Sequence, residues 1–186
     1  MTVTLNEKSG KGLSDGVVSE LTVAYTIKPG HAEQLRASCA RIMGAIRAAD
    51  PQARQKTGLR DIRLVLFDDD RQFLLAPSFE TDWDPYIDDI VAVFGIENVA
   101  DLLQHVVGGF SPEQVLIGGS AAVKRGVQMI QTPALSYWNA LADVTMPEIR
   151  KALRLEQAFQ QVLDNPEAAQ ALQHPALKPL LEQAAD

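Results

Sequence analysis

The sequence predicts an α+β domain, an antiparallel sheet backed by helices. Three observations carry that prediction. Segments with apolar residues at every second position alternate with segments where they recur every third or fourth. A short acidic turn joins two of the alternating segments directly. Proline or glycine closes nearly every segment.

Residues 1–17 have no periodicity and are rich in Gly, Ser and charge, so they read as a flexible N-terminal tail. Leu21, Val23, Tyr25 and Ile27 then alternate with Thr22, Ala24, Thr26 and Lys28, the period of a strand with one covered face. Pro29-Gly30 stops it. From His31 the period becomes helical, with Ala32, Leu35, Cys39, Ile42, Met43 and Ile46 on one stripe. Asp50-Pro51 ends that helix, because a residue before proline resists helical geometry.

Ile62, Leu64 and Leu66 alternate with Arg63, Val65 and Phe67, and Asp68-Asp69-Asp70 turns the chain into the run Arg71–Phe79, a hairpin pattern. Pro77 cannot donate to a ladder and predicts a bulge or the end of regular pairing. Residues 84–94 read as a helix, with Asp84 as N-cap, Pro85 in the first turn and Gly95 as the stop. A short helix over 99–107 ends at Gly108-Gly109. Residues 110–120 read as loop, 121–131 as another short helix, and 134–141 as a fourth strand carrying Tyr137 and Trp138. Thr145-Met-Pro-Glu148 is a capping-box pattern opening an amphipathic helix that runs to Asn165-Pro166. Beyond it, Pro175 and Pro179 break an Ala/Leu/Gln-rich tail into short helices.

The order strand, helix, strand, strand, helices, strand, helix is that of the split βαβ, or ferredoxin-like, arrangement with extra helices and a helical C-terminal extension. The expected organisation is therefore a tail over 1–17, a ferredoxin-like α+β domain over 18–163 and an extension over 164–186. Val65 and Phe67 oppose Leu64 and Leu66, so both sheet faces carry apolar groups. A second sheet from a partner copy would cover the face that the helices leave open, which predicts a homodimer.

Composition narrows the class. Hydrophobic residues make up 46% of the chain and mean hydropathy is −0.05, ordinary for a globular protein with a sizeable core. No apolar run approaches the roughly 18–20 residues that cross a bilayer, and residues 1–16 lack the apolar core of a signal peptide. These features lead to the expectation of a cytoplasmic protein without membrane attachment. The 24 acidic against 17 basic residues give a net charge of −7, which disfavours nucleic acid as a partner. Cys39, the single cysteine, lies in an apolar helical stripe and reads as a small buried hydrophobe.

With the elements placed, the stretch LTVAYTIKPGHAEQLR (residues 21–36) resembles the strand–Pro-Gly–helix opening of the dimeric α+β barrel superfamily. FLLAPSFETDWDPYIDDI (73–90) and TPALSYWNALADVTMPEIRKALRLEQAF (132–159) are similar to a narrower bacterial subgroup linked to haem peroxidase or catalase-like chains. The resemblance covers roughly residues 18–163. It implies a pocket between sheet and helices but no particular reaction, since the superfamily spans cofactor-free monooxygenases, haem-binding and haem-degrading proteins, and members without known activity.

Candidate site residues follow from chemistry. His31 stands at a helix start near the expected pocket mouth, where a neutral imidazole can act as base or ligand. Trp83 and Tyr86 can line a pocket wall or simply seal a helix against the sheet. Tyr137, Trp138 and Asn139 would shape a cavity if their strand faces inward. His105, among Leu102, Leu103, Val106 and Val107, has the apolar setting of an axial haem ligand, although a core histidine is the simpler reading. No haem or other cofactor is otherwise indicated. Glu80, Asp82, Asp84, Asp88 and Asp89 could bind a hard cation, but acids at a helix start more simply complement its dipole, so no metal is expected. His174 reads as exposed.

The functional expectation is a homodimer that binds a small apolar or aromatic molecule, with oxygenase-like or peroxide- and haem-linked chemistry as its possible extension. The alternative is a non-enzymatic structural or interaction module that uses its helices as partner surfaces.

Overall fold

A computed structural model describes residues 12–184. The expected tail falls mostly outside the described residues; within them, Ser14–Asp15 (β1) pairs antiparallel with Val18–Glu20 (β2). The chain divides into two compact units, with the boundary between Met146 and Pro147.

The first unit is α+β. Val23–Thr26 (β3) leads to helix Ala32–Ala48 (α1), and Asp50 then caps a second helix, Pro51–Lys56 (α2), by accepting from the backbone N–H groups of Gln52 and Ala53. Leu59–Phe67 (β4) and Gln72–Phe79 (β5) form the expected hairpin. Its turn residues Asp68, Asp69 and Asp70 all have positive φ, a region that aspartate enters more readily than most residues. Arg71 closes on Asp68 and Arg36 on Asp70, each at 2.6 Å.

Strand β5 is central. It pairs with β4 along one edge and with β2 and β3 along the other, all antiparallel. β2 and β3 keep one register against β5, so they are a single strand interrupted at Leu21 and Thr22. The interruption lies opposite Pro77. Leu21 still donates to the Pro77 carbonyl at 3.0 Å, but proline has no N–H to return the bond. Proline thus costs one ladder rung without ending the strand.

The expected fourth strand is absent. Gln131 makes one bridge to Val23 and Thr132 donates to the Thr22 carbonyl, but Pro133 follows and cannot extend the ladder. Residues 134–141 leave the sheet edge as an irregular segment. Val106 occupies the other end of that edge through a bridge to Ile27.

Helices Trp83–Phe94 (α3), Ile96–Leu103 (α4) and Pro112–Ile130 (α5) complete the unit. The N-cap of α3 is Asp82 rather than Asp84, and Pro85 sits inside the first turn. α5 begins where a loop was expected. Ser111 and Gln114 form a reciprocal capping box and Pro112 follows the cap, while Gly119, at φ 55° and ψ −151°, kinks the helix.

The core lies between the helices and one sheet face. Val23, Tyr25, Phe73 and Leu75 from the sheet meet Leu35 and Ile42 of α1, Ile87 and Ile90 of α3, Leu102 of α4 and Val123 of α5. The opposite sheet face carries Val65 and Phe67, 40% and 45% exposed.

Helix Met146–Leu163 (α6), all but its first residue in the second unit, has no buried residue. Short turns over Pro166–Ala168 and Pro175–Leu177 precede Ala169–Leu172 (α7) and Lys178–Gln183 (α8). Asn165 and His174 cap those turns through side-chain acceptors. No helix among the described residues is long and apolar enough to cross a membrane.

One buried ion pair fastens residues 141–146 to the sheet. A register shift between Leu59 and Asp61 re-aims Arg60, whose Nε donates to Glu80 at 2.6 Å while its guanidinium also reaches the carbonyls of Leu141 and Val144. Both side chains are under a tenth exposed. Replacing Glu80 by alanine strands a buried guanidinium, and we expect urea denaturation to show a loss of about 3–5 kcal/mol. The Arg60→Met/Glu80→Leu double variant should lose markedly less, because it leaves no uncompensated charge.

Candidate functional site

The sequence-predicted site residues separate into three places within the first unit. The first is an apolar cavity of about 80 Å³ between the core face of the sheet and helices α3, α4 and α5. Tyr25, Leu75, Tyr86, Ile90, Leu102 and Val123 are among its walls. Phe110 lies close over Gly126, where a Cβ would come within 2.2 Å of the ring, so that wall depends on a glycine inside α5. Burial pushes the phenols of Tyr25 and Tyr86 far above their ordinary value, with Asp61 adding to the rise at Tyr86. Both are therefore neutral hydroxyls at neutral pH. Tyr86 stacks on Phe79 with ring centroids 4.0 Å apart.

Trp83, by contrast, does not reach the cavity. It is buried in the core and its Nε1–H has no acceptor among the described residues. The readings of Tyr86 as a wall and Trp83 as a seal thus part company, although the two residues are neighbours in sequence.

The second place is a histidine pair. His31 at the start of α1 and His105 just after α4 meet Nδ1 to Nδ1 at 3.0 Å, with ring centroids 5.3 Å apart. Their 74-residue separation closes because residues 104–107 run along the end of β3. Lys28 N donates to the His105 carbonyl, Val107 N to the Thr26 carbonyl, and Lys28 Nζ to the Gln104 carbonyl at 2.7 Å. One imidazole must donate and the other accept, so the pair is satisfied when neutral or singly protonated and opposed to a second charge.

Asp101 stands behind the pair, with Oδ1 3.9 Å from His105 Nε2, and its other oxygen accepts from Ser38 and Arg41. Burial pushes the Asp101 carboxyl up, but Ser38, Arg41 and His105 outweigh it and hold it below the usual range. Burial lowers the His105 imidazole, Asp101 opposes that, and His31, Arg41 and Lys28 add to the lowering. Asp101, Ser38 and Arg41 carried no signal in the sequence, because nothing in helical periodicity says which polar residues of α1 and α4 will face each other.

His105 Nδ1 is bonded to His31 and its Nε2 faces Asp101, and the nearby apolar cavity is about half the roughly 150 Å³ that accommodates benzene, far short of a haem. Of the acids in residues 80–89, Glu80 is paired with Arg60, and Asp84 and Asp88 with Lys124 of α5 at 3.2 and 2.8 Å. Cys39 is half-buried and burial pushes its thiol up to about 11, far from a thiolate at neutral pH.

The third place is a groove of about 440 Å³ on the opposite sheet face, between β2, β4 and β5 and the segment 134–139. Tyr137, Trp138 and Asn139 line it together, but as part of an irregular segment rather than a strand. Asn139 N donates to Asp15 at 2.8 Å, and Val17 N to the Ala142 carbonyl at 2.8 Å. Sequence reasoning missed the sheet residues that face this segment, Glu20, Asp61, Arg63 and Ser78. Their alternation within the strands was visible, but what stands over them was not.

No protein-family model matches the sequence, and no curated protein or solved structure is detectably similar to it.

The lowered His105 imidazole has a consequence for stability. The unfolded chain takes up this proton near the ordinary value of 6.5, whereas the folded chain resists it. The unfolded state therefore binds more protons as the pH falls, so the contribution of His105 is fully present above that value and is lost below it. We expect the urea midpoint to drop between about pH 7.5 and pH 5.5, above the range where carboxylates titrate. The drop should shrink in His105→Gln, and a flat wild-type profile would refute the burial account.

Proposed function

We propose that this chain holds a small apolar molecule in the cavity between its sheet and helices. The cavity itself carries the reading. Its walls are almost wholly apolar, and two phenol-bearing rings border it. Space of this kind stays dry, so an apolar occupant gains contacts without displacing bound water. At about 80 Å³ it suits a compact ligand of a few heavy atoms. Tyr25 and Tyr86 are the wall residues that carry a polar group, and in this reading their hydroxyls orient a weakly polar atom of that ligand or, in an oxygenase-like reaction, of a substrate.

The fold reading that goes with this is a ferredoxin-like domain of the dimeric α+β barrel type whose fourth edge strand is reduced to the single bridge at Gln131. The strand order, with β5 between β3 and β4, supports it. So do the exposed Val65 and Phe67, which a second copy would cover by laying its own sheet across that end of the face.

A second reading rests on its own observation. α6 buries none of its residues and leaves Leu153, Leu155 and Val162 exposed, as an interaction module would.

Native mass spectrometry of the purified protein separates these readings. The ligand-binding reading expects twice the chain mass plus a reproducible small adduct. A folded Val123→Phe variant, which fills the cavity, should lose the adduct and lose saturable xenon uptake. Xenon uptake that is absent in the wild type, or unchanged in the variant, would sink the cavity reading. Val65→Lys/Phe67→Lys should shift the dimer to monomer, and a wild-type monomer at tens of micromolar would remove the paired-sheet reading. An unliganded dimer would favour the interaction module.

A further inference from the structure

The groove beneath residues 134–139 has a chemistry of its own. Register stacks the open sheet face into rows. Asp61, Ser78 and Glu20 are direct neighbours across β4, β5 and β2, and the next row places Arg63 beside Ala76. Ala76 is small, so the middle of the floor stays low while charged side chains rise at its edge. The segment above supplies Tyr137 and Trp138, and Trp138 is 78% exposed at the rim.

These charges are not equally engaged. Glu20 accepts from the Leu13 N–H and the Thr22 hydroxyl, each at 2.8 Å, and so serves the local backbone. Asp61 accepts from the Ser78 hydroxyl through Oδ2. Arg63, unlike Arg36, Arg41, Arg60 and Arg71, has no carboxylate partner among the described residues. Two residues apart on one strand face, Asp61 and Arg63 have Cα atoms about 6.6 Å apart. That spacing leaves room for an adjacent amine and carboxylate between the two side-chain tips. A guanidinium recognises a carboxylate through paired N–H donors, and an exposed indole offers a flat apolar face beside it. The volume of about 440 Å³ falls within the range of small-molecule sites.

We propose that this groove binds a small zwitterion with a planar apolar body, the class of an aromatic α-amino acid. Arg63 takes the carboxylate, Asp61 takes the ammonium, and Trp138 with Tyr137 covers the ring. The site lies across the sheet from the apolar cavity and does not depend on whether that cavity is filled.

The chain has two tryptophans, one buried and one at the groove rim, so intrinsic fluorescence reports on the site. The probes are L-phenylalanine, phenylacetate and phenethylamine. L-phenylalanine should give a saturable emission change that disappears in Trp138→Phe, and each singly charged analogue should bind more weakly. Arg63→Gln, an exposed and fold-tolerant change, should weaken L-phenylalanine and phenylacetate by about tenfold or more and leave phenethylamine within about twofold. Asp61→Asn should do the reverse, weakening the two amines and sparing phenylacetate. The proposal is overturned if L-phenylalanine causes no saturable change up to about 10 mM, or if Arg63→Gln binds it as the wild type does. Should Asp61→Asn fail to fold, the Arg63 result alone decides.

Discussion

Strand β5 is hydrogen-bonded along both edges, and its pleat determines what each face of the sheet carries. Phe73, Leu75 and Phe79 point toward the helices, whereas Leu74, Ala76 and Ser78 point away. A slip of one residue against either neighbour would exchange those sets and place Ser78 in the core. The apolar cavity and the polar groove are therefore two consequences of one register. They share Leu21 and Pro77 as the floor between them, at the rung where proline leaves the ladder incomplete.

One proline and one bulge decide where the chain goes beyond that sheet. Pro133 ends the pairing that Thr132 begins, so the following residues cross the open face instead of lengthening its edge. The bulge beside Arg60 turns a strand residue into an anchor that holds Glu80 and the carbonyls of Leu141 and Val144. The Arg60 bonds to Leu141 and Val144, the Val17 N–H to the Ala142 carbonyl and the Asn139 N–H to Asp15 fasten the C-terminal end of the irregular segment, while Trp138 stays exposed.

The histidine pair arises from the same sheet edge. Where a fourth strand was expected beside β3, Val106 supplies one bridge and brings His105 to His31. Either histidine taken alone looks ordinary, one at a helix start and one in an apolar helix end. The corner is sensitive to proton uptake at His105, because a charged His105 imidazole is disfavoured by its burial and opposed by Arg41 and Lys28.

Much of the local structure was legible. The hairpin of β4 and β5 followed from alternation and its acidic turn, and α1, α3 and α4 followed from apolar stripes bounded by Pro and Gly. The start of α5 was missed: residues 110–120 read as loop, although Ser111-Pro-Glu-Gln114 is a capping-box sequence and Gly119 only kinks the helix that it opens. Residues 134–141 misled in the opposite direction. Aromatic and apolar residues there have strand propensity, but propensity does not supply a partner, and Pro133 withholds the bond that would recruit one.

The sequence by itself determined the α+β class, the apolar stripes and the presence of histidines, aromatics and acids, because periodicity and composition are properties of neighbours along the chain. Tertiary structure alone decided that His31 meets His105, that Trp83 and Tyr86 part company, and that Arg63 and Asp61 lie beneath Trp138. Those pairings join residues tens of positions apart, and they depend on strand register and on the path of an unpaired segment, which no local pattern encodes.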